Sequence, residues 1–139
     1  MGKSIRDVMT SEPRCVKSDA PITEAAKVMK EADTGAVIVQ DNGSPSGIVT
    51  DRDIAIRVVA EGRDPESTSV SDVATTDITT LSADDSVDDA VKVMREKNVR
   101  RLPVVDDDKT VGIVSLGDLA QEKDENSALA DISAAPPQH

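Results

Sequence analysis

Two short segments hold the residue types that could do chemistry. Thr50-Asp51-Arg52-Asp53 follows Gly47-Ile48-Val49, and Ser115-Leu116-Gly117-Asp118 follows Gly112-Ile113-Val114. A hydroxyl three residues ahead of an acid at a helix start is a capping box, in which each side chain satisfies backbone amides. The same atoms could serve a ligand. A carboxylate offers two acceptor oxygens to a vicinal diol, as an acidic residue does for a ribose in dinucleotide-binding folds. The hydroxyl beside it can donate to a base nitrogen or a phosphate. Amides at the helix start suit an anion, and Arg52 would sit beside that anion where the second segment has Gly117. Both readings stand for either segment alone. Duplication of the whole Gly-Ile-Val-Thr/Ser-x-x-Asp stretch favours the ligand, because caps alone tolerate several residue types.

The surroundings of these segments repeat at the same constant offset. Asp7-Val8 returns as Asp72-Val73, Lys27-Val28-Met29 as Lys92-Val93-Met94, and Asp41 as Asp106, without a gap from Ser4 to Ala55. A repeat makes the architecture a doubled unit. Each copy opens with a short apolar segment, Arg14-Cys15-Val16 or Ile78-Thr79-Thr80-Leu81. A helix follows, with Ile22, Ala25, Ala26 and Met29, or Val87, Ala90, Val91 and Met94, on one face. Two β-branched runs come next, joined by Asp41–Pro45 or by Asp106–Lys109, and read as neighbouring strands. A second helix ends each unit, with Gly62 placed just past the first one. The unit is strand, helix, strand, strand, helix.

Two copies of about fifty residues are each marginal alone, so they are expected to share one α+β domain. The expected spans are 4–60 for the first module, 61–69 for a linker and 70–123 for the second, with 124–139 a partly mobile tail. Its Leu129 and Ile132 could dock on a partner subunit.

Composition narrows the function. With 27 acidic and 16 basic residues the formal net charge is −11, which disfavours phosphate backbones and anionic membranes. No Phe, Tyr or Trp is present, so a planar ligand would lie between aliphatic side chains. There is one cysteine, Cys15, which precludes an intramolecular disulfide and reads as a small buried hydrophobe. The one histidine is His139. No Walker-type loop, no Cys/His metal spacing and no nucleophile with its base emerges, so neither an enzyme nor a metal centre is expected. The start has no apolar run resembling a signal peptide, and the expected location is cytoplasmic.

The residues Asp-Val-Met near the start, the Ala-x-x-x-Met helix, the Arg-Arg-Leu-Pro-Val-Val strand and Gly-Ile-Val-Thr-Asp-Arg-Asp-Ile carry a specific resemblance. Over residues 4–120 the chain resembles a tandem pair of CBS domains, the modules named after cystathionine β-synthase. The resemblance implies two modules with small mixed sheets packed in pseudo-two-fold symmetry, and two clefts that often take adenosine-containing ligands. It implies that Asp53 and Asp118 hold ribose hydroxyls, with Thr50 and Ser115 beside the ligand. It also implies walls from Val16, Ala36 and Val37, and from Leu81, Leu102 and Pro103.

The copies differ usefully. Arg100-Arg101 stands where the first copy has Gly35-Ala36. Arg101 could grip phosphate oxygens in a fork or pair with a local carboxylate, and the two clefts should not bind alike. Many relatives are appendages of enzymes, channels or transporters; without such a domain, this chain is expected to act alone. The expected function is regulatory: AMP, ATP or an S-adenosyl compound such as S-adenosylmethionine binds between modules, needs no further cofactor, and signals to an unknown protein partner. The alternative is a homodimeric interaction protein of stress-response type without a small ligand. A homodimer is expected in either case.

Overall fold

The structure, a computed structural model, describes residues 3–121. The expected mobile tail, with Leu129 and Ile132, lies outside them. In chain order the elements are α1 (Ile5–Val8), β1 (Thr10–Ser11), β2 (Cys15–Val16), α2 (Ile22–Ala32), β3 (Ala36–Asp41), β4 (Ser44–Thr50) and α3 (Asp51–Ile54). A π-helical turn at Ala55–Val59 extends α3, and a 3₁₀ turn at Val70–Asp72 precedes the second copy. Then come β5 (Leu81–Ser82), α4 (Val87–Lys97), β6 (Arg101–Asp106), β7 (Lys109–Ser115) and α5 (116–121).

The α+β repeat is present as expected. One sheet has the order β2-β3-β4 and the other β1-β7-β6-β5. In each, the opening strand runs parallel to the middle strand and the hairpin is antiparallel, so both sheets are mixed. Even the register shifts agree, at Val39/Gln40 and Val104/Val105. The helix stripe differs by one position. Val28 is buried with Ile22, Ala25 and Met29, whereas Ala26 faces solvent. A straight helix turns the longer Val28 toward the sheet at i+6, and the smaller Ala26 falls on the rim.

The hairpin loops are tighter than the sequence suggests. Asp41 pairs with Ser44 and Asp106 with Lys109, which leaves two-residue turns. Asn42 and Gly43 have φ of 57° and 84°, and Asp107 and Asp108 have 54° and 64°. Left-handed values at both central positions match the right-handed twist of the flanking strands. Asp108 holds that conformation at a cost that glycine avoids. Gly62 does close the second helix of the first copy, with φ of 70° and its N–H on the Val59 carbonyl at 3.1 Å.

The copies exchange their opening segments. Ile5 and Arg6 donate to the carbonyls of Asp85 and Ala83 at 2.8 and 2.9 Å, and β1 pairs with β7. Ile5 is fully buried in a cluster with Leu81, Ala90, Leu102, Val104 and Leu119. In return, Val70 donates to Ala20 at 2.8 Å, and Val70 and Val73 complete the cluster around Val37, Val49 and Val58. Modules contiguous in sequence are thus not contiguous in their cores.

The hairpin tips also meet. Thr110 N–H donates to Gly43 O at 2.9 Å. The corresponding position in the first copy is Pro45, which has no N–H. Ser44 Oγ supplies the donor instead, to Asp108 O at 2.7 Å, and Lys109 Nζ reaches Asn42 O at 2.8 Å. Among the described residues no helix is long and apolar enough to cross a membrane.

Two outcomes follow for stability. Ile5→Ala should cost about 3 kcal/mol and should loosen amide protection first in β5–β7, the opposite module in sequence. Replacing Asp107-Asp108 by the Asn-Gly of the first copy should raise the melting temperature. Hydrogen exchange and calorimetric melting check the two.

Candidate functional site

The strand-to-helix junctions are built as capping boxes. Asp53 N–H donates to Thr50 Oγ1 at 3.1 Å, and Thr50 N–H donates to Asp53 Oδ2 at 2.9 Å. Ser115 and Asp118 reproduce this at 3.1 and 3.0 Å. The caps do not exhaust the side chains. Each carboxylate retains a second oxygen, and each hydroxyl retains its proton. The anion expected at the first helix start is not supported, however. Asp51 N–H is taken by Gly35 O at 2.9 Å and Arg52 N–H by Asp51 Oδ1 at 2.8 Å. With Asp53 N–H also engaged, the leading amides are spent locally.

Beside Thr50 lies a cavity of about 390 Å³, within the roughly 300–1,000 Å³ range of small-molecule sites. It is crossed in construction. Ile48 and Thr50 come from the end of β4, Lys97 to Leu102 from the end of α4 and the start of β6, and Thr75 to Thr79 from the segment between the copies. That segment is anchored to β4 by reciprocal backbone bonds between Ile48 and Thr75 at 3.0 and 2.9 Å. Ile48, Ile78, Val99 and Leu102 give apolar surface, and three threonines give hydroxyls.

The charge of this cavity runs against that of the protein. Lys97, Arg100 and Arg101 line it, opposed by Asp77. Arg6, Arg14, Arg57 and Arg63 are engaged in ion pairs. Among the described residues, none of the three cavity cations is so engaged. The corresponding positions in the first copy are Ala32, Gly35 and Ala36, so the pseudo-symmetric location beside Ser115 has none of these cations. The expected asymmetry of charge is therefore built into the fold.

The structure brings some of the expected site residues together and separates others. Thr50, Arg101 and Leu102 come together in the cavity. Asp53 is bonded to Thr50 but is not a lining residue; its side chain is 16% exposed, with Oδ1 3.9 Å from Arg57 Nε. Ser115 pairs with Arg101 across the β6–β7 ladder, and Asp118 caps it from α5. Arg52 is exposed and outside the cavity lining. Val16, Val37 and Leu81 belong to the two cores, and Ala36 and Pro103 are buried in their strands.

Of the walls the resemblance implies, Leu102 lines the cavity, whereas Val16, Ala36, Val37, Leu81 and Pro103 are not among its lining residues. The opening strands lie at the ends of their sheets, with Val16 paired to Val39 and Leu81 to Val104. The first residues of the second copy's opening segment, Ile78 and Thr79, line the cavity just before β5. Lys97 and Asp77 were not anticipated, whereas Ile78 and Thr79 belong to the opening segment read from the sequence. Ile48 was legible, since residues two apart on a strand share a face.

Cys15 is half-buried at the start of β2. Its Sγ–H donates to Pro13 O at 3.4 Å, and burial pushes the thiol pKa above its ordinary value. Less thiolate at neutral pH means a poorer nucleophile.

The CBS-domain family model matches twice, at residues 5–60 and 70–125. The chain belongs to the CBS-domain family. It is 42% identical over 134 residues to the CBS domain-containing protein YhcV of Bacillus subtilis, covering 94% of this chain and 95% of that one. It is 35% identical over 130 residues to hypoxic response protein 1 of Mycobacterium tuberculosis, covering 93% and 91%. Among solved structures, Hypoxic Response Protein I with two coordinated zinc ions superposes with a TM-score of 0.78 at 36% identity, over 86% of this chain and 98% of that one. The CBS pair of protein MJ0100, in complex with 5′-methylthioadenosine and S-adenosyl-L-methionine, superposes with a TM-score of 0.81 at 26% identity, over 91% and 99%. The CBS pair here is a regulatory module. Among its described residues, no group of three or more His, Cys, Asp or Glu side chains is placed to hold a metal ion.

The caps yield a ligand-independent outcome. Thr50→Ala and Ser115→Ala should each cost about 1 kcal/mol, read by urea unfolding followed in the far ultraviolet. A negligible loss at either position would contradict the capping geometry.

Proposed function

We propose that this CBS pair senses an adenosine-containing, phosphate-bearing ligand such as AMP or ATP in the crossed cavity and signals its presence to a partner protein. One observation carries the reading: Lys97, Arg100 and Arg101 line a cavity beside Thr50 in a protein of net charge −11. Guanidinium groups match phosphate oxygens in a bidentate fork. The apolar side chains Ile48, Ile78, Val99 and Leu102 suit the faces of a purine, and Asp53 Oδ1 is the acceptor left for the ribose. Binding rather than turnover is the proposed role. The adenosine compounds held by the MJ0100 pair support the ligand class. S-Adenosylmethionine has a positive sulfonium, so three cations weigh against it here and in favour of a phosphate.

A second reading rests on a different surface. Ile56 and Val59, on the helix that follows the first box, are 46% and 70% exposed, and Leu116 is 41% exposed. Large apolar side chains held in solvent suit an interface, and a homodimer formed through them is compatible with nucleotide sensing. Without any ligand, such a dimer would be an interaction protein.

Calorimetric melting tests the choice, since the chain has no aromatic fluorophore. Ligand at 100 times its Kd should add about 2.7 kcal/mol of stability. AMP or ATP should shift the melting temperature more than S-adenosylmethionine, and Arg100→Ala with Arg101→Ala should abolish the difference. No shift with any of the three at millimolar concentration would eliminate the sensor. Val59→Asp should lower the mass measured by light scattering if the exposed helix pairs two copies; an unchanged mass would remove that interface.

A further inference from the structure

The helix leaving the first box widens into a π turn, and the turn aims one side chain in two directions. Ala60 N–H donates to Ala55 O at 2.9 Å, five residues back, which inserts a residue into the turn around Arg57. Such insertions recur at functional sites. From this position Arg57 Nη1 donates to Val73 O at 2.9 Å, while its Nε lies 3.9 Å from Asp53 Oδ1. Val73 is fully buried and roots the segment whose Thr75, Asp77, Ile78 and Thr79 line the cavity. Since Thr50 N–H occupies Oδ2, the oxygen facing Arg57 is the one a ribose would use.

We infer that Arg57 is a positioning residue of the cavity: it fixes the open oxygen of Asp53 relative to the wall segment rooted at Val73. The assignment rests on the nucleotide reading and concerns the ribose end of that ligand. A guanidinium presents several N–H groups in a rigid plane, so one side chain can hold both partners; an ammonium is a point charge and holds one well. The second copy has Glu122 at the corresponding sequence position, and among the described residues no cation is paired with Asp118. Diol recognition is thereby assigned to Asp53 rather than to Asp118.

Titration calorimetry with AMP and 2′-deoxy-AMP on the full chain tests this, because only AMP has the vicinal diol. The unaltered protein should prefer AMP. Arg57→Ala should weaken AMP by about tenfold, the worth of a charged hydrogen bond, and should leave 2′-deoxy-AMP nearly unchanged, so that the preference collapses. Arg57→Lys should recover part of it. Equal weakening of both nucleotides, or an unchanged ratio, would overturn the role of Arg57 while leaving nucleotide binding intact. An unaltered chain that binds neither nucleotide would remove the nucleotide reading, and this assignment with it. Arg57 is half-exposed, and a melting temperature for each variant separates loss of fold from loss of positioning.

Discussion

Each half of this protein buries a segment that covalently belongs to the other. A unit of about fifty residues cannot exclude enough water to hold itself together, and the exchange of Ile5–Ser11 for Val70–Thr75 supplies the missing surface. Ile5 fills the second core, and Val70 and Val73 fill the first. Backbone pairing accompanies both insertions, so no sheet edge is left open where the segments lie. Neither module can loosen without withdrawing a piece of its neighbour. The cavity follows from the same exchange, because the returning segment must pass between the end of β4 and the start of β6.

Backbone symmetry and side-chain asymmetry serve different ends here. The capping boxes, the two-residue turns and the register shifts are duplicated almost atom for atom, which fixes two equivalent junctions. Chemistry is then assigned to one by small replacements: Arg100-Arg101 for Gly35-Ala36, Lys97 for Ala32, Arg57 for Glu122. Lys97, Arg100 and Arg101 are exposed at the end of α4 and the start of β6, so their charges add contrast without entering a core.

Much of this was legible in the sequence, and the reasons are local. Gly62 and the Thr50-x-x-Asp53 box act within a few residues of themselves, and the repeat forces whatever holds for one copy onto the other. Arg101 was conspicuous because its counterpart is Ala36. The walls were less legible. Asp77 lines the cavity from just ahead of the opening segment and Lys97 from the end of α4, and periodicity does not report which module a segment joins. The role of the helix start was obscured in a similar way. Nothing in the order of residues shows that Asp51 turns back onto the amide of Arg52 and that Gly35 takes the amide before it.

The meeting of the hairpin tips has a mechanical consequence. Ser44, Asp108, Lys109 and Gly43 tie the two sheets together at one end of β4 and β7, whereas Thr50 and Ser115 stand at the other. Six residue steps separate the ends of β4, about 20 Å of strand. A pin at one end and a cleft at the other make a pair of tweezers, so a tilt of a few degrees about the tips becomes a displacement of about an ångström at the cavity. Occupancy there would be converted into the angle between two rigid sheets, and the helix carrying Ile56 and Val59 would move with it.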